Sequence, residues 1–312
     1  MPDQVMIIPA KLQAGDCIGV FSPAGPVRDR AKAEAGIRIL REMGFRVKLN
    51  GGAGSGNGYL AADDQSRVDE FHTMLRDEEV KAMIALRGGY GCLRIADLLD
   101  YRLVETCRKF IIGFSDVSIM LNLISRRAGI VAVHGPVLTS LANTEKTSLH
   151  SLRSLLVDGL PPAIAPDDIV ILRPGAARGI LRGGNLATIV HLLGTPWEFP
   201  WTDTLLLLED TGEPMYKIDR MLTQLHYSGR LAGLAGIILG GFDTGDDPGE
   251  NRKLQEQVWQ RVVELTADQG YPVWGNFPVG HREKNLALPL GLEISMDSSS
   301  RRLVLEQGRD SG

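Results

Sequence analysis

Short apolar runs alternate with amphipathic segments along the first half of the chain. Runs rich in β-branched and aromatic residues predict buried strands, whereas apolar residues that recur every three or four positions predict helices. The predicted strands are 18–22, 45–49, 80–86, 109–114 and 130–134, and the predicted helices are 31–43, 66–76, 92–99 and 117–127. This alternation is typical of an α/β fold with a doubly wound parallel sheet.

Strand-like runs dominate the second half of the chain. They cover residues 169–172, 179–182, 205–209, 237–239, 292–296 and 302–305, and helices are predicted at 185–193, 218–227 and 252–267. The prolines Pro161, Pro162 and Pro166 lie close together between the halves, which favours a linker. We therefore predict an N-terminal α/β domain over 1–158, a linker over 159–167, and a smaller sheet-rich α+β domain over 168–312.

Ser115 lies at the junction between an apolar run and an amphipathic helix. Such a strand-to-helix turn brings a side-chain oxygen near a helix N-terminus, where unpaired N–H groups and the helix dipole favour developing negative charge. The pattern predicts a nucleophile elbow, although Gly113-Phe114-Ser115-Asp116 departs from the G-x-S-x-G form. An ordinary helix N-cap is the alternative, and this segment alone favours the cap.

Two later segments supply partners for a nucleophilic serine. Glu209 ends the apolar run 204–208, and His281 follows the apolar piece 276–279. Open α/β sheets bind ligands outside the carboxyl ends of their strands, which is where these side chains are predicted to lie. Serine, glutamate and histidine are the components of an acyl-transfer triad, in which histidine takes the serine proton and the carboxylate orients the imidazole.

A series of short motifs runs through nearly the whole chain in one order. They are Gly15-Asp16-Cys17-Ile18-Gly19-Val20-Phe21-Ser22-Pro23-Ala24-Gly25-Pro26, Arg87-Gly88-Gly89-Tyr90-Gly91, Gly113-Phe114-Ser115-Asp116, His134-Gly135-Pro136, Gly183-Gly184-Asn185-Leu186, Gly194-Thr195-Pro196, Leu208-Glu209-Asp210-Thr211-Gly212-Glu213, Asp219-Arg220-Met221-Leu222, Gly280-His281 and Leu288-Pro289-Leu290-Gly291. Together they resemble the LD-carboxypeptidase (muramoyl-tetrapeptide carboxypeptidase) family of serine peptidases, which also contains the microcin C immunity peptidases.

The resemblance implies a function and a set of roles. Ser115 is expected to be the nucleophile, His281 the base and Glu209 the orienting acid. The implied reaction is hydrolysis of the L,D-amide bond that releases terminal D-Ala from cytoplasmic muropeptides during murein recycling, by a homodimer. One alternative is a microcin C-type peptidyl-nucleotide hydrolase, in which Trp197 or Trp201 would stack the base. Another is a non-catalytic small-molecule binding protein, which would have no reason to retain Ser115, Glu209 and His281.

The glycine-rich segment Arg87-Gly88-Gly89-Tyr90-Gly91 falls between a predicted strand and a predicted helix. Glycines in such a loop let the backbone approach a ligand closely. We predict that the backbone amides of Gly89 and Asp116 form the oxyanion hole that acyl transfer needs. The alternative, which the segment by itself favours equally, is a tight turn with no catalytic role.

The three cysteines, Cys17, Cys92 and Cys107, form no C-x-x-C pair, which argues against a disulfide framework and a structural zinc site. Cys92 also follows a predicted strand, so a Cys-His-Glu hydrolase is a second possibility for the nucleophile. A buried structural thiol is the more common role of a free cysteine.

Composition excludes several classes of protein. The 312 residues are 44% hydrophobic and 23% charged, with a formal net charge of −4, so neither disorder nor nucleic-acid binding is favoured. We identify no signal peptide, no apolar run long enough for a bilayer, no metal site and no cofactor motif, and expect a cytoplasmic location. The glycine-rich run 51–58 does not fit a phosphate-binding register and predicts a surface loop.

Overall fold

The structure is a computed structural model that describes residues 6–49, 56, 58–245 and 247–305. The chain divides into two compact units. Among the described residues, the first contains those through Leu160 together with Leu286–Gly291, and the second contains Pro161–Asn285 and 292–305. Most of the glycine-rich run 51–58 lies outside the described residues.

Strands and α-helices alternate along much of the described chain. The strands are β1 (Cys17–Phe21), β2 (Arg46–Leu49), β3 (Val80–Ala85), β4 (Phe110–Gly113), β5 (Ala132–His134), β6 (Ala163–Ile164), β7 (Val170–Arg173), β8 (Ala176–Asn185), β9 (Thr204–Thr211), β10 (Gly236–Asp243), β11 (Val273–Gly275), β12 (Leu288–Leu290), β13 (Glu293–Asp297) and β14 (Arg302–Leu305). The α-helices are α1 (Arg30–Glu42), α2 (Asp64–Arg76), α3 (Tyr101–Cys107), α4 (Val117–Ala128), α5 (Lys146–Val157), α6 (Leu186–Val190), α7 (Met215–Tyr227) and α8 (Pro248–Leu265).

The first unit is built on a sheet with the strand order β12-β5-β4-β3-β1-β2. Strands β1 to β5 pair in parallel, and β12 adds to the edge in antiparallel orientation, with Leu288 opposite His134. The residues Phe110, Ile111 and Ile112 of β4 are fully buried, as expected for a parallel strand covered by helices on both faces. The predicted α/β class is therefore confirmed, and each predicted strand of this unit ends within two residues of its observed bounds.

The helix that the sequence predicts at 92–99 is wrong. The chain forms only a 3₁₀ turn at Leu93–Ile95, and α3 begins after it. The turn ends at Ile95, and Asp100 is the N-cap of α3, where its extended backbone (φ −82°, ψ 90°) lets its side chain accept a hydrogen bond from Leu103 N at 3.0 Å. A new N-cap overrides the apolar periodicity here.

The second unit contains a mixed sheet with the order β6-β14-β13-β8-β9-β10-β11-β7. The strands β8 to β11 are parallel at its centre, and the flanking pairs are antiparallel. Part of the predicted linker joins this sheet, since β6 pairs with β14. No sequence pattern indicates that Leu286–Gly291 belongs to the first unit, and the domain boundaries remain a prediction.

Within the described residues, no helix combines the length and the apolar character needed to cross a membrane.

Candidate active site

Ser115 lies at a sharp turn between β4 and α4 of the first unit. Its backbone has φ +63°, a left-handed conformation that residues other than glycine adopt only at a conformational cost. Gly113 permits the turn, because a Cβ there would lie 2.6 Å from a methyl carbon of Val117. Such strain, held by the surrounding fold, is typical of a functional turn.

The side-chain hydrogen bonds do not support the alternative that Ser115-Asp116 is an ordinary helix N-cap. Asp116 directly precedes α4, but its carboxylate makes no capping hydrogen bond to the helix. Its Oδ2 instead accepts a hydrogen bond from Cys92 N at 2.8 Å, and burial raises the pKa of the Asp116 carboxyl. This bond joins the turn at Ser115 to the loop that follows β3.

That loop lies directly against the serine. A Cβ added at Gly88 would lie 2.8 Å from Ser115 Cβ and 2.9 Å from Ser115 Oγ, so only glycine fits there. Gly89 has φ +121°, which also favours glycine. Among the described residues, neither Gly89 N nor Asp116 N donates a hydrogen bond to another protein group. Both backbone amides therefore retain a donor for a substrate oxygen.

Cys92 has an environment that suits a structural thiol. Its side chain is buried, and its Sγ lies 3.9 Å from the carbonyl oxygen of Pro23. Burial, followed by the negative charge of Asp116, raises the pKa of the Cys92 thiol well above its ordinary value. Because the thiolate is the nucleophilic form, this environment disfavours Cys92 as a nucleophile.

Glu209 and His281 form a hydrogen-bonded pair in the second unit. Glu209 lies near the carboxyl end of β9 and is fully buried, and its Oε2 lies 2.8 Å from His281 Nδ1. Glycines make room for the carboxylate: a Cβ at Gly280 would lie 2.8 Å from Glu209 Oε2, and one at Gly240 would lie 3.1 Å from Glu209 Cβ. A carboxylate on Nδ1 favours the tautomer whose Nε2 can accept a proton.

The electrostatic surroundings make this histidine a stronger base than usual. Burial alone would lower the pKa of His281, but the charge and hydrogen bond of Glu209 outweigh it, and the pKa is raised above its ordinary value. The pKa of the neighbouring Asp210 carboxyl is also raised, to about 7, by burial and then by the negative charge of Glu209.

The acidic side chains of segment 209–213 have different partners. Asp210 is buried, and its oxygens accept hydrogen bonds from Ala187 N at 2.7 Å and Thr211 N at 2.8 Å. Glu213 forms an ion pair with Lys217 at 3.0 Å. In the described ranges, no cluster of three or more His, Cys, Asp or Glu side chains has the arrangement to hold a metal ion.

Sequence reasoning missed the residues that anchor the His281 loop. The register between β9 and β10 shifts between Leu239 and Phe242. The buried Gln255 bridges this irregularity, accepting from Phe242 N at 2.9 Å and donating to Gly240 O at 3.0 Å. Arg282 Nη2 donates to Gln255 Oε1 at 2.6 Å, which fixes the residue next to His281. The paired glycines inside the β10 pattern were the available signal, since such glycines often mark a bulge.

The two tryptophans considered as stacking residues differ in exposure. Trp201 is buried, packs against Phe199 with ring centroids 4.6 Å apart, and donates from Nε1 to Glu198 at 2.8 Å. It is a core aromatic residue. Trp197 is half-buried.

Comparisons with known proteins agree on one family. The model of the LD-carboxypeptidase N-terminal domain matches residues 18–135, and that of the LD-carboxypeptidase C-terminal domain matches residues 178–296. The chain is 34% identical to the probable murein peptide carboxypeptidase of Bacillus subtilis (strain 168), over 97% of this chain and 96% of the relative. It is 30% identical to the murein tetrapeptide carboxypeptidase of Pseudomonas aeruginosa, over 91% of this chain and 94% of the relative. The structure of MccF in complex with glutamyl sulfamoyl guanosine superposes with a TM-score of 0.88 at 21% identity, covering 98% of this chain and 99% of that one.

Proposed function

The chain belongs to the LD-carboxypeptidase family, and we propose that it is a serine carboxypeptidase that releases terminal D-Ala from muropeptides. The observation that supports the proposal best is the hydrogen bond between the buried Glu209 and His281, because acyl transfer uses a carboxylate to orient the histidine that acts as the base. The strained backbone at Ser115 supports a nucleophile that a neutral imidazole would activate.

In the proposed mechanism, Ser115 Oγ attacks the carbonyl carbon of the L,D-amide, and its proton moves to His281 Nε2. The carbonyl oxygen becomes an oxyanion, which the amides of Gly89 and Asp116 stabilise. Collapse of this intermediate breaks the carbon–nitrogen bond, and His281 gives its proton to the departing D-Ala amine. Water then attacks the Ser115 ester, His281 takes its proton, and the same proton returns to Ser115 Oγ as the shortened peptide leaves.

Glu209 acts in this mechanism through His281. Its negative charge stabilises the imidazolium that forms during each proton transfer, and its hydrogen bond holds the ring in one tautomer. The full burial of Glu209 strengthens both effects, since charges interact more strongly away from water. The homodimer and the cytoplasmic location implied by the family resemblance remain predictions.

The direct test is release of D-Ala from defined substrates. Purified protein is incubated with a muramyl-tetrapeptide, the matching pentapeptide and a peptidyl-adenylate, and the products are separated by mass spectrometry. We expect D-Ala and the tripeptide from the tetrapeptide, and no product from the S115A control. Turnover of the peptidyl-adenylate alone would establish the microcin C-type alternative, and binding without turnover of any substrate would establish the non-catalytic alternative.

Activity should depend on pH through His281. The base must be neutral to accept the serine proton, so kcat/KM falls as the pH drops through the pKa of His281 in the free enzyme. Because that pKa is raised above the ordinary value of 6.5, we expect the acid limb of the profile to lie above pH 6.5. Measuring kcat/KM from about pH 5 to pH 9 locates the limb. A rate that stays constant or rises on acidification would rule out His281 as the base.

A further inference from the structure

The side chain of Arg67 on α2 is completely buried, which is rare for an arginine. Its Nη2 donates to Asp64, and Asp64 also pairs with Arg94 at 2.8 Å. Its Nη1 donates to the carbonyl oxygen of Pro23 and, at 3.1 Å, to that of Gly91. Desolvating a guanidinium is costly, so its retention calls for an explanation in terms of these partners.

The two carbonyls belong to different loops of the first unit. Pro23 follows β1, and Gly91 closes the glycine loop after β3. The guanidinium fills the space beside Gly91 so closely that a Cβ at that position would lie 2.8 Å from Arg67 Nη1. Arg67 therefore connects both loops through one planar group, whose fixed donor geometry suits such a bridge.

The same two loops touch each other at the proposed oxyanion hole. Gly25 N, in the loop after β1, donates to Gly88 O at 3.1 Å. Gly88 O and Gly89 N belong to one planar trans peptide, so a bond that fixes the carbonyl also fixes the opposite direction of the Gly89 N–H. The contact that Arg67 supports from both sides therefore orients the amide expected to bind the oxyanion.

We infer that Arg67 is a positioning residue for the Gly89 amide, an inference that rests on the proposed function. It holds the loop of Gly25 through Pro23 O and the loop of Gly89 through Gly91 O, and thereby sets the orientation of the peptide between Gly88 and Gly89. Glu70, three residues along α2, supports the same arrangement, since its Oε2 accepts a hydrogen bond from Ser22 N at 2.7 Å.

The substitution Arg67→Lys keeps the positive charge but cannot reproduce the planar fork. We expect kcat to fall by about 10- to 100-fold, because a displaced donor loses part of the 10²- to 10³-fold effect of an oxyanion contact. KM should stay within about threefold, since the amide acts mainly on the transition state. The affinity for a peptide boronate, which forms a tetrahedral adduct with the serine, should fall in parallel with kcat.

Arg94→Met is the matched control. Arg94 shares the Asp64 carboxylate with Arg67 but is 42% exposed, and the hydrogen bonds of its side chain within the described residues go to Asp64. Its backbone N donates to Gly91 O at 3.2 Å, and the substitution leaves that donor in place. This variant should keep kcat and boronate affinity close to those of the wild type.

A further variant, Gly25→Ala, disturbs the peptide between Gly88 and Gly89 directly, because the new Cβ would lie 3.0 Å from Gly88 O. We expect it to lower kcat as Arg67→Lys does.

Several results would overturn the inference. A folded Arg67→Lys protein with kcat within threefold of wild type would do so, as would a loss that appears in KM alone. Arg67→Gln is made alongside it, and circular dichroism and thermal unfolding decide which variants enter the kinetics. If neither variant folds, Arg67 is a structural residue and the positioning role is rejected. An inactive wild-type protein refutes the proposed function instead, and that result is seen before any variant is compared.

Discussion

Replacing Ser115 by alanine should lower kcat by about 10⁴- to 10⁶-fold, whereas replacing Cys92 by alanine should change it by less than about threefold. Ser115 has the strained turn and the contact with Gly88, and it lies in the turn that carries one of the two backbone amides proposed to bind the oxyanion. Cys92 has a buried thiol with a raised pKa, and its amide is already bonded to Asp116. Loss of the hydroxyl leaves only oxyanion and binding contributions, about 10³- to 10⁴-fold over water.

The two variants are compared by D-Ala release from the tetrapeptide and by labelling with a fluorophosphonate, which reacts with an activated serine. Both proteins are first checked by thermal unfolding, because Cys92→Ala removes a buried side chain and is expected to lower stability. Labelling should disappear in the serine variant and persist in the cysteine variant. An active Ser115→Ala protein beside an inactive Cys92→Ala protein would assign the nucleophile to the cysteine.

The sequence predicts the first unit well because its signals are local. Apolar runs of three to six residues form most of the parallel strands, and the turn at Ser115 falls between a run and a periodic helix, as the pattern indicates. The helix predicted at 92–99 does not form, because the chain makes only a 3₁₀ turn there and caps a new helix at Asp100.

Other features arise only from contacts between distant segments. β12 adds to the sheet edge next to β5, more than 150 positions away along the chain, and its sequence Leu288-Pro289-Leu290 carries no strand period. Arg67 has the pattern of a surface arginine on α2, and only the folded loops reveal the carbonyls that it holds. Glu209 and His281 were predicted from their places at strand ends, and their hydrogen bond is visible only in the structure. Their catalytic roles remain predictions.

The second large loss of activity is expected from a change to the carboxylate that is hydrogen-bonded to His281. Glu209→Gln should preserve the fold and most substrate affinity yet lower kcat by about 10⁴-fold, as the equivalent change does in another serine protease. The amide can donate to Nδ1, which favours the tautomer with the proton on Nε2, where the serine proton must go. It also removes the charge that raises the pKa of His281, so the acid limb of any residual activity should move to lower pH.

Glu213→Gln is the matched control for this prediction, because it makes the same chemical change four residues away in the same acidic segment. Glu213 is paired with Lys217 and its side chain is 28% exposed, so its loss should leave kcat and the acid limb close to those of the wild type. A rise in KM at nearly constant kcat would indicate that Glu213 contacts the substrate, which is compatible with Glu209 as the acid. The opposite pattern, with kcat lost in Glu213→Gln and retained in Glu209→Gln, would show that the 2.8 Å bond to His281 is structural and that the orienting acid has been assigned to the wrong residue.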